Sequence, residues 1–312
     1  MAYNESANKI IAEVDKTVIG KRHIIEKVLT AILAKGHILL EDIPGVGKTT
    51  LALAFSKAMD LGHNRLQFTP DVLPTDVIGY NLIQRDGSTG DYKAGPVMCN
   101  LFLADEINRT SPKTQSALLE VMEEGHVTMD GNTIDVPKPF HVIATQNPIG
   151  SIGTQALPES QLDRFMIKLS MGYPDIASEM NMLKLKKERK LLSNISAVIK
   201  KDELELMQQE VEKVYIHESI YEYMVRLVLQ TRKNQYIELG VSPRGTIALM
   251  NMAKATAFIN NRDYMIPDDV KNNFKPVVSH RILLKPKAKM SDISVDEILT
   301  RIIGQVPTPG LS

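Results

Sequence analysis

The residues with the most chemistry in this chain are Pro44-Gly45-Val46-Gly47-Lys48-Thr49-Thr50. Glycines let a backbone turn tightly enough for successive N–H groups to point at phosphate oxygens. A lysine at position 48 reaches the β- and γ-phosphates of a nucleotide, and the Thr49 hydroxyl is the expected Mg²⁺ ligand. The full pattern G-x-x-x-x-G-K-[ST] wants glycine at position 42, where this chain has Asp42. That position lies at a strand exit, where a side chain can point away from the phosphates.

Four further points supply groups such a loop would need. Leu101–Ala104 runs into Asp105-Glu106, and open α/β sheets place ligand chemistry at strand C-terminal ends. Asp105 is the expected second Mg²⁺ ligand, and Glu106 the carboxylate that orients and polarises a lytic water. An ordinary acidic turn is the competing reading of that pair. A second strand, His141–Thr145, ends in Gln146-Asn147, and the Asn147 amide can fix the same water. Arg164, in L-P-E-S-Q-L-D-R-F, falls near the end of a short helix and can be offered to a phosphate in a neighbouring subunit. An ion pair to Asp163 or Glu159 is the alternative. Ser242-Pro243-Arg244 reads as an N-cap, a first helical residue and an arginine at an anion-favouring dipole end.

The elements that must hold these groups are legible in the apolar pattern. Strand-like runs recur at Ile38–Leu40, Arg65–Phe68, Leu101–Ala104, His141–Thr145 and Met166–Leu169, with helical stretches at Thr50–Met59 and Pro112–Glu124. Alternation of this kind predicts an α/β fold with a mainly parallel sheet covered on both faces. Residues 5–34 read as helix broken near Thr17 and Gly20. Residues 1–174 form the expected nucleotide-binding core, 175–200 a helical connector whose basic run Lys184–Lys190 is a solvated face, and 201–312 a smaller helical domain with no comparable strand signal. Two hairpins are expected, one within 75–95 turning at Asp86-Gly87 and one at 126–136 turning at Asp130-Gly131.

Composition narrows the class. The 312 residues carry 37 basic and 37 acidic side chains, so bulk attraction to nucleic acid or an anionic membrane is not expected. Cys99 is the single cysteine and has no partner for an internal disulfide. The seven histidines show no ligand spacing. No run of about 18 apolar residues occurs and the N-terminus lacks a leader pattern, so a cytoplasmic protein is expected. No N-K-x-D string reads guanine.

Taken in order, L-L-E-D-I-P-G-V-G-K-T, L-F-L-A-D-E-I-N-R, P-K-T-Q-S-A-L-L-E-V-M-E-E, A-T-Q-N-P, L-P-E-S-Q-L-D-R-F and S-P-R resemble the MoxR family of AAA+ ATPases from about Val18 to about residue 300. The resemblance implies an AAA+ P-loop core followed by a helical lid, using ATP and Mg²⁺. It implies that Lys48 and Thr49 are Walker A residues and Asp105 and Glu106 Walker B. Asn147 then corresponds to sensor 1, Arg164 to an arginine finger acting in trans, and Arg244 to sensor 2. Val18-Ile19-Gly20 matches the segment that packs near the adenine. The resemblance further implies a homo-oligomeric ring, usually a hexamer, that matures or assembles a protein client, which in this family often carries a von Willebrand factor A domain. A chelatase motor subunit and a nucleic-acid-linked ATPase are the alternatives. The second lacks its basic stripe, and the insertion reads R-D-G-S-T-G-D.

Overall fold

A computed structural model describes residues 2–42, 45–83, 89–148, 154–173, 175–180 and 195–310. Pro44, the Asp86-Gly87 turn, Pro174 and the Lys184–Lys190 run lie outside these described residues. The first part comprises α1 (Ala2–Asp15), α2 (Arg22–Leu33), β1 (Ile38–Glu41), α3 (Lys48–Ala58), β2 (His63–Gln67), α4 (Pro74–Ile78), β3 (Gly79–Ile83) and β4 (Thr89–Ala94). Then come β5 (Leu101–Asp105), α5 (Pro112–Glu124), β6 (His126–Met129), β7 (Asn132–Asp135), β8 (His141–Gln146), α6 (Glu159–Leu162) and β9 (Ile167–Leu169).

All five expected strands form one sheet, in the order β2-β5-β8-β1-β9, and every pairing is parallel. The period-two alternation of strands divides its side chains cleanly. Ile38, Leu40, Leu101, Leu103, Ile143 and Ile167 face a layer built by α1, α2 and α3. Leu39, Phe102, Ala104, Val142 and Ala144 face the layer of α5. With both faces covered, the central strands β1, β5 and β8 are largely apolar while the edge strand β2 is mostly exposed, and each buried aliphatic contributes about 1.5–3 kcal/mol. A parallel sheet also aligns all strand C-termini along one edge. That edge carries the chemistry.

The second part holds α7 (Lys201–Glu212), α8 (Glu218–Lys233), β10 (Ile237–Leu239), α9 (Pro243–Ile259), α10 (Pro267–Val278), β11 (Leu283–Leu284), α11 (Pro286–Met290) and α12 (Val295–Gln305). The expected smaller helical domain forms, with one short antiparallel pair, β10–β11, added to it. Strands of three and two residues are too short to leave a period-two signature. The larger apolar cluster runs without a break from α1–α3 into Leu204, Met207, Leu227, Leu249 and Phe274, so α1 and α2 pack on both parts.

Both expected hairpins form, β3 against β4 and β6 against β7. The second turns at Asp130 (φ 48°) and Gly131 (φ 81°), the paired left-handed conformations such a turn requires. Asn81 Nδ2 donates to Asp130 Oδ2 at 2.7 Å, tying the two hairpins together. Among the described residues no helix is long and apolar enough to cross a membrane.

Candidate active site

β1 ends at Glu41, and α3 begins at Lys48 with Gly47 as its N-terminal flank (φ 97°). Gly45 is also left-handed (φ 88°), and a Cβ added there would meet nothing within 4 Å. The loop is therefore an open cradle at a helix N-terminus, the environment that favours an anion. Lys48 is 7% exposed and its Nζ donates to the Asp42 carbonyl at 2.7 Å. Burial pulls its pKa below the usual lysine value, opposed by the carboxylates of Asp42, Asp105 and Glu106.

Asp42 does point away from the cradle. Its Oδ1 accepts from Ser170 Oγ at 3.0 Å and Gly172 N–H at 3.1 Å, and its Oδ2 accepts from Met171 N–H. A side chain in place of the first pattern glycine thus fastens the loop to the segment leaving β9. That segment continues to the residues expected beside the adenine. Lys21 Nζ donates to Tyr173 O at 2.8 Å. Gly20 (φ 73°) packs so closely on Ser178 that an added Cβ would lie 2.0 Å from its Oγ. Val18 is buried in the α1–α2 layer and Ile19 is half-buried.

At the ends of β5 and β8, Asp105 Oδ1 accepts from Thr145 Oγ1 at 2.6 Å, and Thr145 Oγ1 in turn accepts from Glu106 N–H at 2.8 Å. Thr145 is fully buried and holds the two acidic residues in register. The other Asp105 oxygen takes Arg65 at 2.6 Å. Glu106 adopts a left-handed backbone (φ 57°), uncommon for a non-glycine residue. Its carboxylate accepts from Asn147 Nδ2 at 3.2 Å and Arg109 Nη1 at 2.8 Å. Asn147 is fixed by Asn108, whose amide oxygen accepts from Asn147 N–H (3.3 Å) and whose Nδ2 donates to Asn147 O (3.1 Å). Among the described residues, the buried Asn147 Oδ1 atom has no partner. Sequence reasoning missed Thr145 and Asn108. Thr145 is a polar residue at a strand end and Asn108 lies in a polar turn, so neither stood out locally, yet each is buried in the structure.

The two arginines lie at the other end of the sheet. His37 precedes β1, donating from Nε2 to Met122 O and accepting at Nδ1 from Val142 N–H, both at 3.0 Å. That fixes the last turn of α5 at the strand N-termini. Arg164 precedes β9, and its Nη1 donates to Leu119 O at 2.9 Å. Its ion-pair partner is Glu123, which corrects the expected alternatives Asp163 and Glu159. Asp163 is taken instead by Arg281 at 2.7 Å and by Ser242 Oγ at 2.8 Å. Ser242 caps α9 as expected, accepting from Gly245 N–H at 3.1 Å. Arg244 also pairs with Glu123. The site residues therefore form two groups. Lys48, Thr49, Asp105, Glu106 and Asn147 occupy the C-terminal edge, and Arg164 and Arg244 the N-terminal one.

The C-terminal group suits a magnesium nucleotide. Lys48 Nζ donates to the Asp42 carbonyl, a neutral acceptor that a phosphate oxygen can replace. Thr49 and Asp105 offer the hard oxygen ligands Mg²⁺ prefers, and the orphaned Asn147 oxygen awaits a donor such as water.

The family model described as "ATPase family associated with various cellular activities (AAA)" matches residues 37–167, and the "AAA lid domain" model matches residues 229–302. The chain is 36% identical to Chaperone MoxR1 of Mycobacterium tuberculosis, over 96% of this chain and 82% of that one. It is 46% identical to the uncharacterised protein YeaC of Bacillus subtilis, over 99% and 98% of the two chains. The crystal structure of a Cytophaga hutchinsonii protein described as a candidate ATPase superposes with a TM-score of 0.91 at 38% identity, covering 99% of this chain and 96% of that one.

Proposed function

Given that this chain belongs to the MoxR family of AAA+ ATPases, we propose that it is a ring-forming, Mg²⁺-dependent motor whose ATP sites are completed by the neighbouring subunit. The single observation that carries this reading is the division of the site between the two edges of one parallel sheet. β5 spans five residues, about 16 Å, which exceeds the reach of an arginine side chain. Arg164 and Arg244 cannot serve the phosphate loop of their own chain. They serve that of a second copy docked head to tail, and a head-to-tail contact that repeats by rotation closes a ring.

Within one site, the backbone N–H groups from Gly45 to Thr49 receive the phosphates and Lys48 exchanges the Asp42 carbonyl for phosphate oxygens. Thr49 and Asp105 would hold Mg²⁺, which supplies charge neutralisation on the phosphates. Glu106 accepts a proton from water and aims it at the γ-phosphorus, and Asn147 holds Glu106 and the water in line. Arg164 and Arg244 of the adjacent subunit stabilise the charge spread over the transferring group. The cycle of making and breaking that junction is the source of mechanical work on a protein client. The relative's name, Chaperone MoxR1, supports a chaperone-like role. The family resemblance further supports a hexamer and a client with a von Willebrand factor A domain as parts of this reading.

Mixing Arg164→Ala with Glu106→Gln tests the junction. Neither variant alone contains an intact pair of edges, whereas a mixed ring does. Hydrolysis by the mixture should exceed the weighted sum of the separate activities. Failure at every ratio, with mixed rings verified by native mass spectrometry, would refute a site shared between subunits.

A further inference from the structure

We propose that Glu123 is a positioning residue for catalysis in trans, joining Arg164 and Arg244 into one preassembled fork. The proposal rests on the shared-site reading above. The Glu123 carboxylate gives one oxygen to each guanidinium, Oε2 to Arg164 and Oε1 to Arg244. With Met122 the three line a cavity of about 160 Å³. Among the described residues, Nε and Nη2 of Arg164 and Nε and Nη1 of Arg244 have no protein acceptor, so each arginine keeps donors for an incoming phosphoryl group.

Two observations say the carboxylate belongs to the arginines rather than to the helix. Glu123 is the penultimate residue of α5, and the C-terminal turn of a helix disfavours negative charge. Its placement there weakens α5 unless cations offset it. Second, three arginines gather on this edge, and the pKa of Arg281 is lowered chiefly by burial, with a smaller contribution from the charge of Arg244 and opposition from Asp163. Asp163 is committed to Arg281 and Ser242, so Glu123 is the acid that holds Arg164 beside Arg244. Without it, two long side chains recover their rotamer freedom and repel each other.

Glu123→Gln keeps the shape but leaves one oxygen for two cations and turns an NH₂ group toward one of them. A misplacement of about 1 Å can cost about 10²-fold in rate. We expect kcat for ATP to fall about 10-fold or more while KM changes by no more than about 3-fold, because the nucleotide's own loop is untouched. A general loss of fold would lower activity too, so the deciding readout is complementation. Glu123→Gln mixed with Glu106→Gln should exceed the weighted sum, because the first supplies an intact Glu106 and the second an intact fork. Glu123→Gln mixed with Arg164→Ala should not, since both damage the same edge. Glu123→Asp, which keeps the charge on a shorter stem, serves if the amide variant does not assemble. Unchanged or raised kcat would overturn the proposal, as would a loss that Glu106→Gln fails to rescue while Arg164→Ala is rescued. If Arg164→Ala itself is not rescued, the shared site fails first and the fork with it.

Discussion

Restoring the pattern glycine at position 42 should damage this protein. Asp42 is 7% exposed and accepts three hydrogen bonds from Ser170, Met171 and Gly172. Hydrogen bonds to a charged group are each worth about 1.5–3 kcal/mol, though a shared carboxylate does not add them in full. Met171 is only 3% exposed, so its N–H would be left buried and unpaired. Glycine adds about 0.5–1 kcal/mol of backbone entropy lost on folding. Asp42→Gly should therefore lose about 3–5 kcal/mol of stability. ADP affinity should fall about 10-fold, an energy of about 1.4 kcal/mol, as the exit of β1 loosens beneath Lys48. Asp42→Asn should fall between, because one amide hydrogen must face a backbone N–H. Urea titration of the nucleotide-free protein and calorimetric titration with ADP measure the two effects. A stability change under about 1 kcal/mol with unchanged ADP affinity would show that Asp42 merely replaces the glycine.

Lys48→Ala should abolish ATP binding, since it deletes the buried cation of the cradle at a loss of about 2–5 kcal/mol; undiminished affinity in calorimetry would sink the phosphate-loop reading. A slowly hydrolysed ATP analogue with Mg²⁺ should drive assembly, because a ligand touching two subunits stabilises the state in which both contact it. Light scattering that reports the same mass with and without nucleotide at micromolar protein would contradict this. The protein should also be acid-labile through His141, whose pKa burial lowers to about 4. Its Nδ1–H donates to Gly36 O at 3.1 Å, and Nε2 accepts from Gln208 Nε2 at 3.0 Å, an arrangement only the neutral ring satisfies. The unfolded chain binds this proton near pH 6.5 and the folded one near 4, so the stabilisation is complete above the first value and is lost as pH falls toward the second. A gap of that size is about 3 kcal/mol. His37, lowered to about 4 by burial, acts in the same direction. Urea midpoints that do not fall between pH 7 and 4.5, or a His141→Gln profile as steep as wild type, would count against this.

The central strands β1, β5 and β8 were legible as short, largely apolar runs, the pattern a doubly covered sheet imposes, whereas the edge strand β2 is polar and mostly exposed. Pro112 and Ser242-Pro243 marked helix starts that the structure reproduces. What remained illegible was set by long-range pairing. Nothing local to Arg164 points to Glu123, 41 residues away (164 − 123 = 41), rather than to adjacent Asp163. Nothing local to Asp42 points to the N–H groups of Met171 and Gly172. β10 and β11 escaped because a three-residue strand carries no period. Arg281 escaped because a lone arginine in a helical domain reads as solvated. It is 5% exposed, and besides Asp163 it donates to the carbonyls of Phe165 and Met166.

That buried arginine exposes the mechanical logic of β9. Residues 163–166, which enter the strand, are clamped to the lid by Arg281 and Ser242, and the lid carries Arg244. Ser170, Met171 and Gly172, which leave it, are clamped to the phosphate loop by Asp42. Three residues of edge strand, Ile167–Leu169, thus join the loop proposed to receive nucleotide to the arginines proposed to serve the next subunit. We hypothesise that nucleotide in one site biases the fork at the neighbouring one through this strand. The double variant Asp42→Gly/Glu106→Gln isolates the effect, because its own site is already dead and it acts only as an arginine donor. Mixed with Arg164→Ala, it should rescue hydrolysis less well than Glu106→Gln alone, once native mass spectrometry shows equal incorporation into mixed rings. Equal rescue would mean that the two clamps on β9 act independently.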